Sequence, residues 1–227
     1  MTQHLLLHKL TLLNQYIKNN NNIETIINYD NTLFILDWDD TLFPTSWAVK
    51  NSIDIVNNET RDGYIEHFKV LDRHLSSFLK NILTLGNVVI VTNAMKDWVK
   101  VSSIVIPKTY NILKKIEIVS ARGLFSERTK NVMDWKKNTF RLIIDKFYKN
   151  KKIMNVISIG DAEYEHQALI SLTQTNMDKI KYLKSFRLIK EPSYDQLVEQ
   201  IDLLDTYIHK FWNLNKQLCK TFKVHNE

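Results

Sequence analysis

The sequence predicts an α/β protein with a doubly wound parallel sheet covered by helices on both faces. Short apolar runs rich in β-branched residues recur along the chain and end in polar or acidic residues: TLFILD (32–37), GNVVIVTN (86–93) and KIMNVISIGD (152–161). Helical patterns with apolar spacings of three and four lie between them. The runs are near-continuously apolar rather than alternating, as expected of strands buried on both sides.

From the amino end, Leu6, Leu10, Leu13 and Ile17 predict an amphipathic helix over about residues 3–18, ended by the tract Asn19 to Asn22. The first strand, 32–37, is set off by the turn residues Asp30 and Asn31. HFKVLDRHLSSFLKNILTLG (67–86) places Phe68, Leu71, Leu75, Phe78, Leu79, Ile82 and Leu83 on one helical face, with Gly86 positioned to end it. Strands follow at 86–93 and at KIEIVSAR, 115–122. DWKKNTFRLIIDKFYK (134–149) is a helix with Phe140, Ile143, Ile144 and Phe147 inward. Two more strands are expected at 152–161 and at SFRLIKEP, 185–192. From Ser193, a cap with Gln196 at the capping-box position, Leu197, Ile201, Leu204, Ile208 and Phe211 step by four, three, four and three. Leu218 continues the seven-residue spacing, so the tail 193–227 reads as a helix. It packs across its own domain or, alternatively, serves a homodimer or partner.

The 227 residues suit a single domain over 1–227, with its core at 32–192. Four Gly and three Pro leave little material for long linkers. The lone Cys219 can form no internal disulfide and supports no cysteine metal site, so a reducing, cytoplasmic setting is expected. No signal peptide stands out, and no run approaches the roughly 18 apolar residues of a membrane span. The net charge of +6 favours anionic partners without separating nucleic acid from a phosphorylated molecule.

The chemistry gathers at strand ends. Asp37 and Asp39 follow the first run, Thr92 and Asn93 close the second, and Gly160, Asp161 and Glu165 follow a late one. In an open parallel sheet, ligands bind beyond the carboxyl ends of the strands, where the strand order reverses. Acids crowded there repel one another unless a cation is bound, and carboxylates suit Mg²⁺.

DWDDT, VVIVTN, WKKNTF and ISIGDAEYE, in this order and each on the expected element, resemble the four motifs of the haloacid dehalogenase-like (HAD) phosphatase superfamily. The resemblance covers about residues 32–192. It implies a Rossmann-like sheet and a Mg²⁺-dependent phosphatase working through an aspartyl-phosphate. Asp37 is then the nucleophile and Asp39 the acid/base. The Asp37 side chain, the Asp39 carbonyl and the Asp161 side chain hold the metal. Thr92 and a lysine bind the phosphoryl group, with Thr41 and Asn93 beside them. Lys136 and Lys137 both offer that lysine, and Lys136 is preferred because Trp-Lys before a Phe-ended turn is common among similar proteins. Glu165 stands where many members have Asp, leaving open whether it reaches the metal.

Other residues receive plainer readings. Asp40 holds a local turn, Trp38 packs, His166 is an exposed helix-start histidine, and Arg122 lies on the surface. FPTSWAVKNSIDIVNNETRDG (43–63) is the only material for a flap after the first motif, with Phe43 and Trp47 either facing substrate or pinning the flap to the core. No interval has room for a large cap domain, which suits a bulky substrate such as a phosphoprotein. The alternatives are an enzyme processing nucleic-acid 3′-phosphates and a non-catalytic module of the same fold.

Overall fold

The computed structural model describes residues 26–148, 153–174 and 180–223. The helix expected at 3–18 and the Asn tract lie outside the described residues. Strand β1 (Thr32–Leu36) is followed by the short helices α1 (Thr45–Lys50) and α2 (Asn58–Arg61) and the long α3 (Ile65–Leu85). Next come β2 (Asn87–Thr92), α4 (Lys96–Ser103), α5 (Pro107–Leu113), β3 (Glu117–Ser120), α6 (Ala121–Phe125) and α7 (Val132–Tyr148). The chain continues through β4 (Asn155–Gly160), α8 (Glu163–Ser171), β5 (Tyr182–Arg187), α9 (Tyr194–Trp212) and β6 (Leu218–Thr221).

The six strands form one sheet in the order β3-β2-β1-β4-β5-β6, and every neighbouring pair is parallel. The chain winds outward from β1 to β3, returns to lay β4 on the other side of β1, and winds outward again. This is the arrangement expected of a Rossmann-like sheet, and the order reverses at the β1–β4 boundary. Alternate residues serve opposite faces. Phe34 and Leu36 of β1, with Ile90, Ile157 and Phe186, join one core under α3, α5 and α9. Leu33 and Ile35, with Val89, Val91 and Val156, join a second core with Phe140, Ile143 and Ile144 of α7 and Leu169 of α8. Both faces are therefore dry, which explains why β1 is buried at all five positions.

Gly86 ends α3 as expected, donating its N–H to the Ile82 carbonyl, but in an extended rather than a left-handed conformation. Its small size answers to the neighbouring strand: a Cβ there would stand 2.7 Å from Thr32 Cγ2. The fifth strand lies three residues earlier than expected, because Lys184 sits inside it, fully buried, and donates to the Trp212 carbonyl at 2.7 Å. Around that carbonyl a polar layer closes the amino edge of the sheet. Asn155 Nδ2 also reaches it at 3.3 Å, and Trp212 Nε1 donates to Thr32 Oγ1 at 3.0 Å.

The tail departs from the expected helix over 193–227. Ser193 and Gln196 form the capping box, and Leu197, Ile201, Leu204 and Ile208 are buried in the domain's own core. Asp205 of α9 accepts from Ser77 (2.7 Å) and Asn81 (2.8 Å) of α3. Packing across the domain thus consumes the apolar stripe that a partner would need. The helix stops at Trp212, and Leu218 belongs to β6, which pairs with the outer edge of β5. Its heptad spacing was coincidental; the open backbone of β5 makes the strand the better partner for these residues.

No helix among the described residues is long and apolar enough to cross a membrane. Among the described residues, no large cap interrupts the fold. Between Thr41 and α3 the chain spends its length on α1, α2 and a 3-10 turn. Phe43 is fully buried, stacked on Trp38 and Phe68, and Trp47 packs against Tyr64, Phe68 and Tyr194. These rings pin the flap to the core; Phe43 is wholly enclosed, whereas Trp47 stays partly exposed.

Candidate active site

The first motif is built by a tight turn beyond β1. Asp37 N–H donates to the Ile159 carbonyl of β4 at 2.9 Å, which ties the end of β1 to the neighbour across the reversal. The Trp38 carbonyl then accepts from the amides of Leu42 (2.9 Å) and Phe43 (3.0 Å). The reversal needs a residue at positive φ, and Asp40 supplies it at 54°. Aspartate is among the few non-glycine residues that enter this region readily. Its carboxylate accepts from the Ser46 amide at 2.8 Å and the Ser46 hydroxyl at 2.5 Å, so Asp40 holds the turn, as expected. Trp38 is buried and donates its indole N–H to Ser102 at 2.9 Å.

The turn presents Asp37 to the sheet edge, where it is only 5% exposed. Lys136, from the second turn of α7 and 1% exposed, donates to Asp37 Oδ1 at 2.5 Å and also pairs with Glu165. Lys137 points elsewhere, lining a shallow surface pocket with Asp134 and Gln167. Of the two lysines, Lys136 is therefore the one at the strand ends. Glu165, in the first turn of α8, accepts from Lys136 through one oxygen and from the Ala162 amide through the other at 3.1 Å. Gly160 leaves room for it, since a Cβ there would lie 2.8 Å from Glu165 Cδ. Glu165 thus partners Lys136.

Asp161, half-buried at the end of β4, accepts from Thr41 Oγ1 at 3.4 Å. Thr92, fully buried at the end of β2, accepts from the Ala94 amide at 2.9 Å and donates to Asp39 Oδ2 at 3.0 Å. Asn93 lies beside it, and both polar atoms of its side chain are buried without a hydrogen-bond partner among the described residues. The carboxyl edge thus carries two sets of contacts, Asp39 with Thr92 and Asp37 with Lys136 and Glu165, with Asp161 near enough to Asp37 to repel it.

The electrostatics are lopsided. Burial pushes the Asp37 carboxyl well above the usual carboxylate range; Lys136 opposes this, while Glu165 and Asp161 add to it. Burial, then Glu165, pushes Asp161 up to about 7. Burial alone would lower Lys136, but Asp37 and Glu165 beside it raise it overall. One ammonium thus offsets only part of the repulsion among three acids. Among the described residues, no three His, Cys, Asp or Glu side chains gather as a metal-holding group. The implied Mg²⁺ set asks for two, Asp37 and Asp161, with the Asp39 carbonyl. These donors fit it chemically: carboxylate and carbonyl oxygens are the hard ligands that Mg²⁺ takes.

Two further residues touch Asp39 and were not read from sequence. Thr45 Oγ1 and Trp98 Nε1 donate to Asp39 Oδ1 at 2.7 and 2.6 Å. No motif spacing marks them; only the three-dimensional turn brings α1 and α4 onto Asp39. His166 is half-buried rather than exposed, with Nδ1 2.9 Å from Ser185 Oγ, and Arg122 is on the surface as expected. Comparisons with family models, curated proteins and solved structures find no match for the chain.

Proposed function

We propose that the chain is a Mg²⁺-dependent phosphatase of the HAD type, hydrolysing a phosphate monoester. The observation carrying this is the meeting of Asp37, Asp39, Thr92, Lys136 and Asp161 at the carboxyl edge, with the Lys136 ammonium on the Asp37 carboxylate. In the first step an Asp37 oxygen forms a bond to phosphorus while the ester P–O bond breaks, and Asp39 gives its proton to the departing oxygen. In the second, water attacks phosphorus, Asp39 takes a proton from it, and the acyl-phosphate bond breaks to restore Asp37. Thr92 and Lys136 hold phosphoryl oxygens throughout, where charge is greatest. Asp37, Asp161 and the Asp39 carbonyl would hold Mg²⁺, which when bound offsets the repulsion between an anionic nucleophile and an anionic substrate. Thr41 and Asn93 complete the phosphate-binding surroundings.

The short flap between Thr41 and α3, with no large cap among the described residues, favours a bulky substrate, such as a phosphoprotein. A cytoplasmic setting belongs to the same proposal and rests on the free thiol of Cys219. With Mg²⁺, the purified protein is expected to hydrolyse an aryl phosphate and a phosphopeptide, and Asp37→Asn to abolish both while remaining folded. A wild type no more active than Asp37→Asn would overturn the proposal and favour a non-catalytic module. Activity confined to a 3′-phosphorylated oligonucleotide, falling steeply with salt, would favour nucleic-acid processing.

A further inference from the structure

Asp39 is held more tightly than an acid/base needs to be merely to exist. Its Oδ1 accepts two short hydrogen bonds, from Trp98 Nε1 at 2.6 Å and Thr45 Oγ1 at 2.7 Å. Among the described residues, its Oδ2 accepts only from Thr92 Oγ1, at 3.0 Å. Trp98 is itself fixed. Its ring meets the buried Phe43 edge-on at 6.2 Å, its carbonyl accepts from Ser102 Oγ at 2.7 Å, and Ser102 accepts in turn from Trp38.

Resting on the phosphatase reading, we propose that Trp98 is a positioning residue that assigns the proton-transfer role to Asp39 Oδ2. An indole N–H donates and cannot accept, so the oxygen facing it cannot carry a proton toward it. With Thr45 on the same atom, Oδ1 is closed to proton traffic. Oδ2 is the open oxygen, because its one partner can leave. The Thr92 hydroxyl has a single hydrogen, and a phosphoryl oxygen arriving at Thr92 competes for it. When the hydroxyl turns to the phosphoryl group, Oδ2 is released at the moment the leaving oxygen comes near. Between turnovers Oδ2 carries the proton it took from the hydrolytic water while its other lone pair accepts from Thr92. That proton passes to the ester oxygen as the P–O bond breaks, and Oδ2 takes a new one from the water that cleaves the acyl-phosphate. Substrate arrival and freeing of the acid are thereby one event.

The test separates positioning from general support. Trp98→Phe keeps a ring against Phe43 and removes only the N–H. Two substrates are compared with Mg²⁺ present: p-nitrophenyl phosphate, whose leaving group departs without a proton, and a simple alkyl phosphate, whose leaving group needs one. The variant is expected to lose about 10- to 100-fold in kcat/KM on the alkyl ester, with less than about a threefold change in kcat/KM on the aryl ester; kcat/KM reports the steps up to the aspartyl-phosphate, so its hydrolysis, which both esters share, does not enter. Thr45→Val, which removes the other Oδ1 donor, shows the same selectivity, and Thr45→Ser restores the wild-type ratio. Equal losses in kcat/KM on both esters, or no loss in kcat/KM on the alkyl ester in variants whose urea unfolding matches wild type, overturn the inference while leaving the phosphatase reading intact. A wild type inactive on both esters overturns the two together.

Discussion

Replacing Lys136 by Met tests the charge arrangement without reference to any reaction. The side chains of Lys136, Asp37 and Glu165 are 1%, 6% and 4% exposed, so water screens none of them well. Removing the ammonium strands two carboxylates in a dry setting, a change that costs about 3–5 kcal/mol where one member of a buried pair is lost. With a urea dependence of about 2 kcal/mol per molar, the midpoint should fall by about 1.5–2.5 M at pH 8. Lys137→Met, outside the cluster, should shift stability by less than about 0.5 kcal/mol. The loss should also depend on pH in one direction. Asp37 has a folded pKa above its unfolded value of 3.8, so between the two the folded chain binds more protons and stability falls as pH rises. Without Lys136 that behaviour strengthens, and the deficit should shrink at pH 5.5, where the stranded carboxyls take up protons. Urea unfolding followed by circular dichroism at both pH values checks this. Equal midpoints for the two lysine variants, or a deficit unchanged with pH, would refute the reasoning.

Lys184 gives a pH dependence of opposite sign. Burial lowers its pKa from 10.5 to about 7, so above pH 7 the unfolded chain binds the extra proton and stability rises with pH, by at most about 1.4 kcal/mol per unit up to about 10.5. Lys184→Met should abolish that rise, with Asn155 still donating to the Trp212 carbonyl; parallel slopes in urea unfolding from pH 7 to 9 would count against it. Gly160→Ala should cost about 1–3 kcal/mol, because the new methyl collides with Glu165 and pushes it off Lys136. Gly63→Ala, with nothing within 4 Å of the added carbon, is the control, and thermal unfolding of both decides.

What was legible in the sequence had a chemical reason to be so. β1, β2 and β4 are buried on both faces and had to be apolar throughout, so their runs announced them. β5 was misplaced because its centre carries Lys184, a residue the apolar-run criterion rejects and the Trp212 carbonyl makes tolerable. β6 was missed because LCKT has neither a continuous apolar run nor strict alternation, and backbone pairing with β5 is invisible to side-chain patterns. At the site, residues attached to strand ends were found, since each follows an apolar run directly. Thr45 and Trp98 were not, because they reach Asp39 from separate helices. The aromatic residues of the flap were ambiguous in sequence; full burial decides Phe43 for packing, while Trp47 packs on the core and stays partly exposed.

The reversal of strand order between β1 and β4 has a kinetic meaning. The sheet is two half-sheets, each from a contiguous stretch: β1 to β3 within residues 32–120, and β4 to β6 within 155–221. They join along one seam, where Thr32 lies beside Asn155 across 123 residues of chain. Closing a loop of that length carries an entropic cost on the order of 4 kcal/mol beyond the constant term, and such long-range pairing folds slowly. Asp37 and Thr92 belong to one half, Asp161 and Glu165 to the other, and Lys136 to the connection between them. A chain with both halves formed but unjoined has every motif and no site. Burial of the Lys136 ammonium is therefore a long-range event, and its disappearance from solvent during refolding times the joining of the two halves.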